Sequence, residues 1–297
     1  MQRRAFLACA GVAISGAAIV PALARPQEVM ESTVPKTKSG LAPVNGLQMY
    51  YEVHGQGEPL ILLHGGVTAS EVFGPNLSEL AKSRQVIAVH LQGHGRTKDI
   101  DRPLRFEFMA DDIAALIAHL KLGQADVMGY SLGGGVALQT VIRHPASVRR
   151  LIVISAAMTQ EGSYPEVNAA FEQMGSHAAQ IAQKIKGSPL GQRYPEVNWE
   201  TLLRKIGEME SQSFDWSAQV KQIKSPAELI FADADSICPG HIAAFYEALG
   251  AGKRDAGLDG SLRSMARLGI VPGATHYNIL STTMVAEMAL PFLSSTV

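Results

Sequence analysis

Short runs of consecutive apolar residues recur along the chain, and between them apolar positions fall three and four apart. The runs lie at residues 47–53, 60–64, 86–90, 126–130, 151–155, 228–232 and 268–272. Most have no polar break, the pattern of strands covered on both faces. Residues 108–120 set Ile113, Leu116, Ile117 and Leu120 on one side of a helix, and 132–144, 241–249 and 283–292 also carry helical spacing. Gly123 and Pro145 supply stops. Strands alternating with helices predict βαβ units, and so an α/β fold with a mostly parallel sheet and helices on both faces.

One stretch breaks the alternation. Residues 159–225 show no strand pattern, only helical spacing at 169–185 and 199–209, with Gly187-Ser188-Pro189 between. An insert after the 151–155 strand would form a small helical lid over the carboxyl edge of the sheet, where α/β proteins bind ligands. The pentapeptide Tyr-Pro-Glu-Val-Asn starts at Tyr164 and again at Tyr194. Two copies are too few for a stacked repeat, which leaves coincidence or two similar helix entries.

The head of the chain has a different character. Arg3 and Arg4 precede a small-residue apolar run of about 16 residues, shorter than the roughly 20 a spanning helix needs. Pro21 ends it, and Ala22-Leu23-Ala24 fits a signal-peptidase site. Residues 1–24 are therefore expected to be an export signal, with Arg3-Arg4-Ala5-Phe6-Leu7 resembling a twin-arginine signal, and the product to be periplasmic or secreted. Residues 25–40, with Pro26, Pro35, Lys36 and Lys38, are expected to be a flexible leader, and 41–297 the folded domain.

Composition narrows the functions. Apolar residues make up 46% and charged ones 18% of 297, an ordinary globular balance. Lys and Arg total 26 against 27 Asp and Glu, and loss of Arg3 and Arg4 with the signal leaves 24 against 27, a net charge of −3. No basic excess is available for phosphates, so nucleic acid is not an expected partner. No run after the signal reaches membrane-spanning length, so no membrane association is expected once it is removed. The two cysteines, Cys9 and Cys238, cannot build a disulfide framework or a zinc cluster.

The sharpest chemical signal is Gly129-Tyr130-Ser131-Leu132-Gly133, a G-x-S-x-G pattern. An apolar strand runs into it and a helix leaves it, the context of a nucleophile elbow. Small residues at 129 and 133 permit the tight turn that exposes the Ser131 hydroxyl. The turn also aims the Leu132 N–H at the space where an oxyanion would form. A phosphate-cradling loop is the competing reading, but neither G-x-x-x-x-G-K-[ST] nor G-x-G-x-x-G occurs.

With Leu62-Leu63-His64-Gly65-Gly66, Gly93-His94-Gly95-Arg96-Thr97, Ala232-Asp233-Ala234-Asp235 with Pro239, and Pro272-Gly273-Ala274-Thr275-His276, the chain resembles the α/β-hydrolase fold family from about Leu41 to Leu293. That resemblance implies the chain order nucleophile, acid, histidine. It leaves His241 and His276 for the base, and His276, on the loop after the last strand, is the better placed. It also implies Asp235, four residues before Pro239, as the acid, with Asp233 as the alternative. The second oxyanion donor it implies is the Gly66 N–H, with Val67 next.

His64 and His94 are expected to hydrogen-bond backbone, and His119 and His144 to be solvated. Leu91-Gln92 stand where many relatives carry Asp and Arg. Serine rather than aspartate at the elbow argues against the dehalogenase and epoxide-hydrolase relatives. The function implied is an exported serine hydrolase acting on a small-molecule ester or related acyl bond, without cofactor or metal. The alternatives are a cofactor-free haloperoxidase-type activity on the same triad, or a non-catalytic binding protein.

Overall fold

The computed structural model describes residues 36–295. The expected export signal, and the leader up to residue 35, lie outside the described residues. Eight strands form one sheet: β1 (Lys36–Val44), β2 (Leu47–His54), β3 (Glu58–Leu63), β4 (Arg84–Val89), β5 (Ala125–Tyr130), β6 (Val148–Ile154), β7 (Ala227–Ala234) and β8 (Ala266–Thr275). Their order is β1-β2-β4-β3-β5-β6-β7-β8. β1–β2 and β2–β4 pair antiparallel and all other neighbours pair parallel, as the alternation predicts.

Period-2 burial splits the core between the two faces. Ile61, Leu63, Ile87, Val89, Val127, Leu151 and Val153 point one way, toward α2 (Phe106–His119), α3 (Leu132–Arg143) and α9 (Pro239–Ala248). Leu60, Leu62, Val86, Ala88, Met128, Ile152 and Ile154 point the other way, toward α1 (Pro75–Ala81) and α10 (Met284–Leu293). Continuous apolar runs are what a doubly covered sheet requires.

The leader reading needs correction at its end. Residues 36–40 belong to β1, paired with β2 through Gly40 and Tyr51. β1 is an edge strand with one face to water: Ala42 and Val44 are buried while Leu41 and Pro43 are exposed. Its apolar signal is correspondingly weak, and proline is tolerated at such an edge.

Between β6 and β7 the chain runs through five helices, α4 (Pro165–Met174), α5 (Ala178–Lys186), α6 (Pro189–Arg193), α7 (Trp199–Glu210) and α8 (Ser217–Val220). The single helix expected over 169–185 is two, because Gly175-Ser176-His177 ends the first. Glycine weakens the helix there, and the Ser176 hydroxyl donates to the Gln173 carbonyl (2.9 Å), competing with the backbone for it. Isolated bridges join Thr159 to Asp215 and Ser163 to Ile237, closing the base of the insert. The first pentapeptide opens α4, whereas the second stops at Asn198, which caps α7 by accepting the Thr201 N–H (3.1 Å).

Candidate active site

β5 ends at Tyr130 and α3 begins at Leu132, so Ser131 alone makes the turn from strand to helix. It sits at φ 54°, ψ −121°, a conformation L-residues rarely adopt. The surroundings enforce it. Ser131 N–H donates to the Ile154 carbonyl (2.9 Å), and its own carbonyl accepts the Gly134 and Gly135 N–H groups at 2.8 and 3.1 Å. A Cβ on Gly129 would lie 2.0 Å from the Gly133 carbonyl oxygen, and one on Gly133 would lie 2.4 Å from those of Leu63 and His64. Both glycines of the motif are thus fixed by contact, and the elbow is wedged against the end of β3.

Ser131 Oγ lies 3.1 Å from His276 Nε2, and His276 Nδ1 lies 3.0 Å from Asp235 Oδ1. A carboxylate at Nδ1 assigns the ring proton there and leaves Nε2 to accept from the serine. Asp235 is buried at the end of β7. Burial alone would push its carboxyl up, but the hydrogen bond and charge of His276, the Ser155 hydroxyl (2.5 Å) and the Ala232 N–H (2.9 Å) outweigh it. The carboxyl is held below its ordinary range. The Ser236 N–H donates to Oδ1 (2.8 Å), and Ser236 Oγ lies 2.9 Å from His276 Nδ1.

Asp233 takes a different position. It accepts the Gly273 and Ala274 N–H groups at 2.9 and 3.2 Å, tying down the end of β8 that leads into His276. His241 Nε2 accepts the Met158 N–H (3.1 Å) at the root of the insert, away from Ser131's partners. The Tyr130 hydroxyl donates to the His276 carbonyl (2.7 Å), with ring centroids 5.4 Å apart. Burial pushes its phenol above the ordinary value, so it stays a donor. Sequence reading missed Tyr130, Ser155 and Ser236 as supports. Tyr130 occupies a variable position of the motif, and the serines lie 80 residues from and adjacent to the carboxylate they bond.

The loop after β3 faces the elbow. A Cβ on Gly66 would lie 3.4 Å from Leu132 Cδ1 and 3.7 Å from Ile206 Cδ1 of α7. Among the described residues no protein acceptor takes the N–H of Gly66 or Leu132, whereas the Val67 N–H is taken by His94 Nε2 (3.2 Å). Val67 therefore does not offer the second donor, and Gly66 and Leu132 have theirs open.

Three fully buried histidines brace this loop. His64 Nδ1 donates to the Gly65 carbonyl (2.7 Å) and its Nε2 accepts the Leu91 N–H (3.1 Å). His94 Nδ1 donates to the Gln92 carbonyl (2.9 Å). His90 Nδ1 accepts the Arg96 N–H (2.8 Å), and its Nε2 lies 3.0 Å from Ser70 Oγ. Burial, with the neighbouring His94 and His90, pushes His64 far below its ordinary value, and burial takes His94 down to about 4. Both rings are neutral, structural acceptors. His144, expected to be solvated, instead bonds Asp111 Oδ1 (2.6 Å), while His119 is exposed. Gln92 is buried and saturated by Asp99 and Arg102, a structural role for the departure from the family pattern. Among the described residues no group of three His, Cys, Asp or Glu side chains could hold a metal ion.

Known proteins match the same parts. A family model described as the alpha/beta hydrolase fold matches residues 58–185, which span the loop after β3, the elbow and the first lid helices. The 2-hydroxymuconate semialdehyde hydrolase of Pseudomonas sp. (strain CF600) is 38% identical over 116 residues, 38% of this chain and 41% of that protein. The non-heme haloperoxidase of Rhodococcus erythropolis is 33% identical over 127 residues, 41% of this chain and 46% of that protein. The matched stretch is thus less than half the length of these curated relatives. The enol-lactonase from Burkholderia xenovorans LB400 superposes with a TM-score of 0.69 at 19% identity, covering 86% of this chain and all of that one. Residues 58–185 thus match the alpha/beta hydrolase family model, and the chain as a whole has the α/β-hydrolase fold.

Proposed function

We propose that this protein is a serine hydrolase that cleaves a carboxylic ester or related acyl bond through an acyl-enzyme. The observation that carries the reading is the line Ser131 Oγ, His276 Nε2, His276 Nδ1, Asp235 Oδ1, with links of 3.1 and 3.0 Å. Ser131 attacks the carbonyl carbon as His276 Nε2 takes its proton, and Asp235 stabilises the imidazolium that forms. The N–H groups of Gly66 and Leu132 receive the oxyanion. Collapse expels the leaving group with the proton from His276, and water, activated by the same imidazole, releases the acid. Relatives named as a semialdehyde hydrolase and an enol-lactonase support acyl-type substrates. Steady-state kinetics on an ester and lactone panel test the reading, with Ser131→Ala as control. Turnover unchanged in Ser131→Ala, or no labelling of Ser131 by a fluorophosphonate, refutes it.

The non-heme haloperoxidase relative favours a second reading, perhydrolysis on the same triad. Peroxide-dependent halogenation measured beside ester hydrolysis separates the two. Export is proposed from Arg3, Arg4 and the apolar run to Val20. Precursor trapped in the cytoplasm by replacing both arginines with lysine supports a twin-arginine route.

A further inference from the structure

β7 and β8 begin side by side at the amino edge of the sheet, the edge away from Ser131. Glu228 and Arg267, each the second residue of its strand, are paired in register there. These strand starts and the connection from α9 to β8 together line a cavity of about 700 Å³. That is the size of a small-molecule site rather than of a gap between side chains.

The charge around the cavity is one-sided. Lys253, Arg254, Arg263 and Arg267 line it, and no side chain of the four has an ion-pair or hydrogen-bond partner among the described residues. Arg267 lies over the Phe292 ring, 5.3 Å from its centroid. The carboxylates of the connection turn to its own backbone: Asp255 accepts the Gly257 N–H (2.9 Å) and Asp259 the Ser261 N–H (3.0 Å). In a chain with 26 Lys and Arg against 27 Asp and Glu, four unpaired cations at one cavity are a local excess that draws in anions.

Glu228 forms the buried part of the lining. It is 5% exposed, its Oε2 is buried without a partner, and neither carboxyl oxygen accepts a hydrogen bond from the described residues. Burial pushes the carboxyl up to about 8 against the pull of Arg267. A buried carboxyl left unsatisfied is costly, and an apolar side chain would pack this strand start without that cost.

We infer that this cavity binds a hydroxylated phosphate monoester, a sugar phosphate by chemical class, with the phosphoryl group among the four cations and a ligand hydroxyl bonded to Glu228. Guanidinium forks match phosphoryl oxygens. The charge of a phosphate monoester, about −1.5 to −2, answers four cations better than the single charge of a carboxylate. A hydroxyl donates to a carboxylate and accepts from a carboxylic acid, so it satisfies Glu228 in either state. Asp235 follows Glu228 by seven residues along β7 and just past its end, about 23 Å of extended chain. The site is therefore separate from the triad and independent of the hydrolase reading.

Calorimetric titration of the purified protein with glucose 6-phosphate, glucose and inorganic phosphate tests the inference. Glucose 6-phosphate should bind one to one and at least about 10-fold tighter than either fragment. Arg267→Gln should weaken glucose 6-phosphate and phosphate alike, about 10- to 100-fold, the range for hydrogen bonds to a charged group. Arg263→Gln, at an exposed position that tolerates exchange, should act in the same direction and serves if Arg267→Gln folds poorly. Glu228→Leu should weaken glucose 6-phosphate about 10-fold and leave phosphate no weaker, whereas Glu228→Gln, which still bonds a hydroxyl, should stay within about 3-fold of wild type. No saturable binding of glucose 6-phosphate up to about 10 mM, or binding indifferent to both arginine variants, overturns the inference. Glucose 6-phosphate bound no tighter than inorganic phosphate overturns it as well, because the cavity would then hold an ion and not the hydroxylated ester.

Discussion

Val67 gives its backbone N–H to His94 Nε2 across 3.2 Å, and it does so at φ 56°. A β-branched residue in the left-handed region is strained, so the bond to His94 holds the chain where it would not settle alone. That bond occupies the Val67 N–H, whereas the preceding Gly66 N–H, the proposed oxyanion donor, has no protein acceptor among the described residues. His94 is in turn oriented by the Gln92 carbonyl and kept neutral by burial.

The first prediction follows from this bond. His94→Leu leaves the Val67 N–H without an acceptor and frees the loop. The expected result is a fall in kcat of about 10-fold or more, part of the 10²–10³ that loss of an oxyanion donor costs, with KM little changed. His94→Gln, whose Oε1 can reach the same N–H, should recover much of the loss. Equal activity of the two variants would assign His94 to packing alone.

Asp233 and Asp235 stand two residues apart and are predicted to fail differently. Asp235→Asn offers an NH₂ to His276 Nδ1 and disturbs the tautomer, so kcat should fall on the order of 10⁴-fold, as in serine-protease triads. Asp233→Asn weakens two bonds to the His276 loop and should cost about 1–3 kcal/mol of stability, with kcat within about 10-fold. Denaturant unfolding beside steady-state kinetics separates the two. The larger kinetic loss at Asp233 would mean the acid has been misassigned.

Most of the architecture was legible because it rests on local patterns. Seven strands announce themselves as apolar runs, since a strand covered on both faces has no polar side to display. β1 does not, because only Ala42 and Val44 of its visible alternation face the core. The elbow and the partners of Ser131 were legible because each follows a strand end and brings chemistry-bearing residues with it. The support around them was not. Ser155 and Tyr130 act through contacts spanning 80 and 146 residues of sequence, and for His94 the backbone bonding was expected but not its partner, Val67, 27 residues away. Nothing in the neighbourhood of Ser155 marks it as a partner of a distant carboxylate.

Glu228 offers a test of pH-dependent stability. It is buried on β7 opposite Arg267, its Oε2 lacks a partner, and burial pushes its carboxyl up to about 8. The folded state thus keeps a proton that the unfolded chain releases near the ordinary value of 4.5. Stability from this group is complete below 4.5 and is lost as pH rises through 8, by up to about 1.4 kcal/mol per unit. Glu228→Gln removes that dependence. Its stability relative to wild type should climb between pH 5 and pH 8 and level off above. Comparing variant with wild type cancels the opposite contributions of His64 and His94. A difference constant across that range would mean Glu228 titrates as an exposed carboxylate.

The lid should set substrate ranking through Ile206. Its side chain is buried, and a Cβ on Gly66 would lie 3.7 Å from its Cδ1, so it roofs the space beside the proposed oxyanion donors. Removing its outer carbons enlarges that space without touching Ser131, His276 or Asp235. Ile206→Ala should therefore shift the ratio of kcat/KM between a longer and a shorter acyl ester toward the longer one, by roughly 10- to 200-fold per methylene gained. The same change should cost about 2–5 kcal/mol of stability, so the ratio between two esters on one folded preparation is the informative quantity. A fluorophosphonate should label Ser131 in the variant as fast as in the wild type. If stability falls and the ratio does not move, Ile206 only packs α7 against the elbow, and acyl selection lies in the loops that follow the strands.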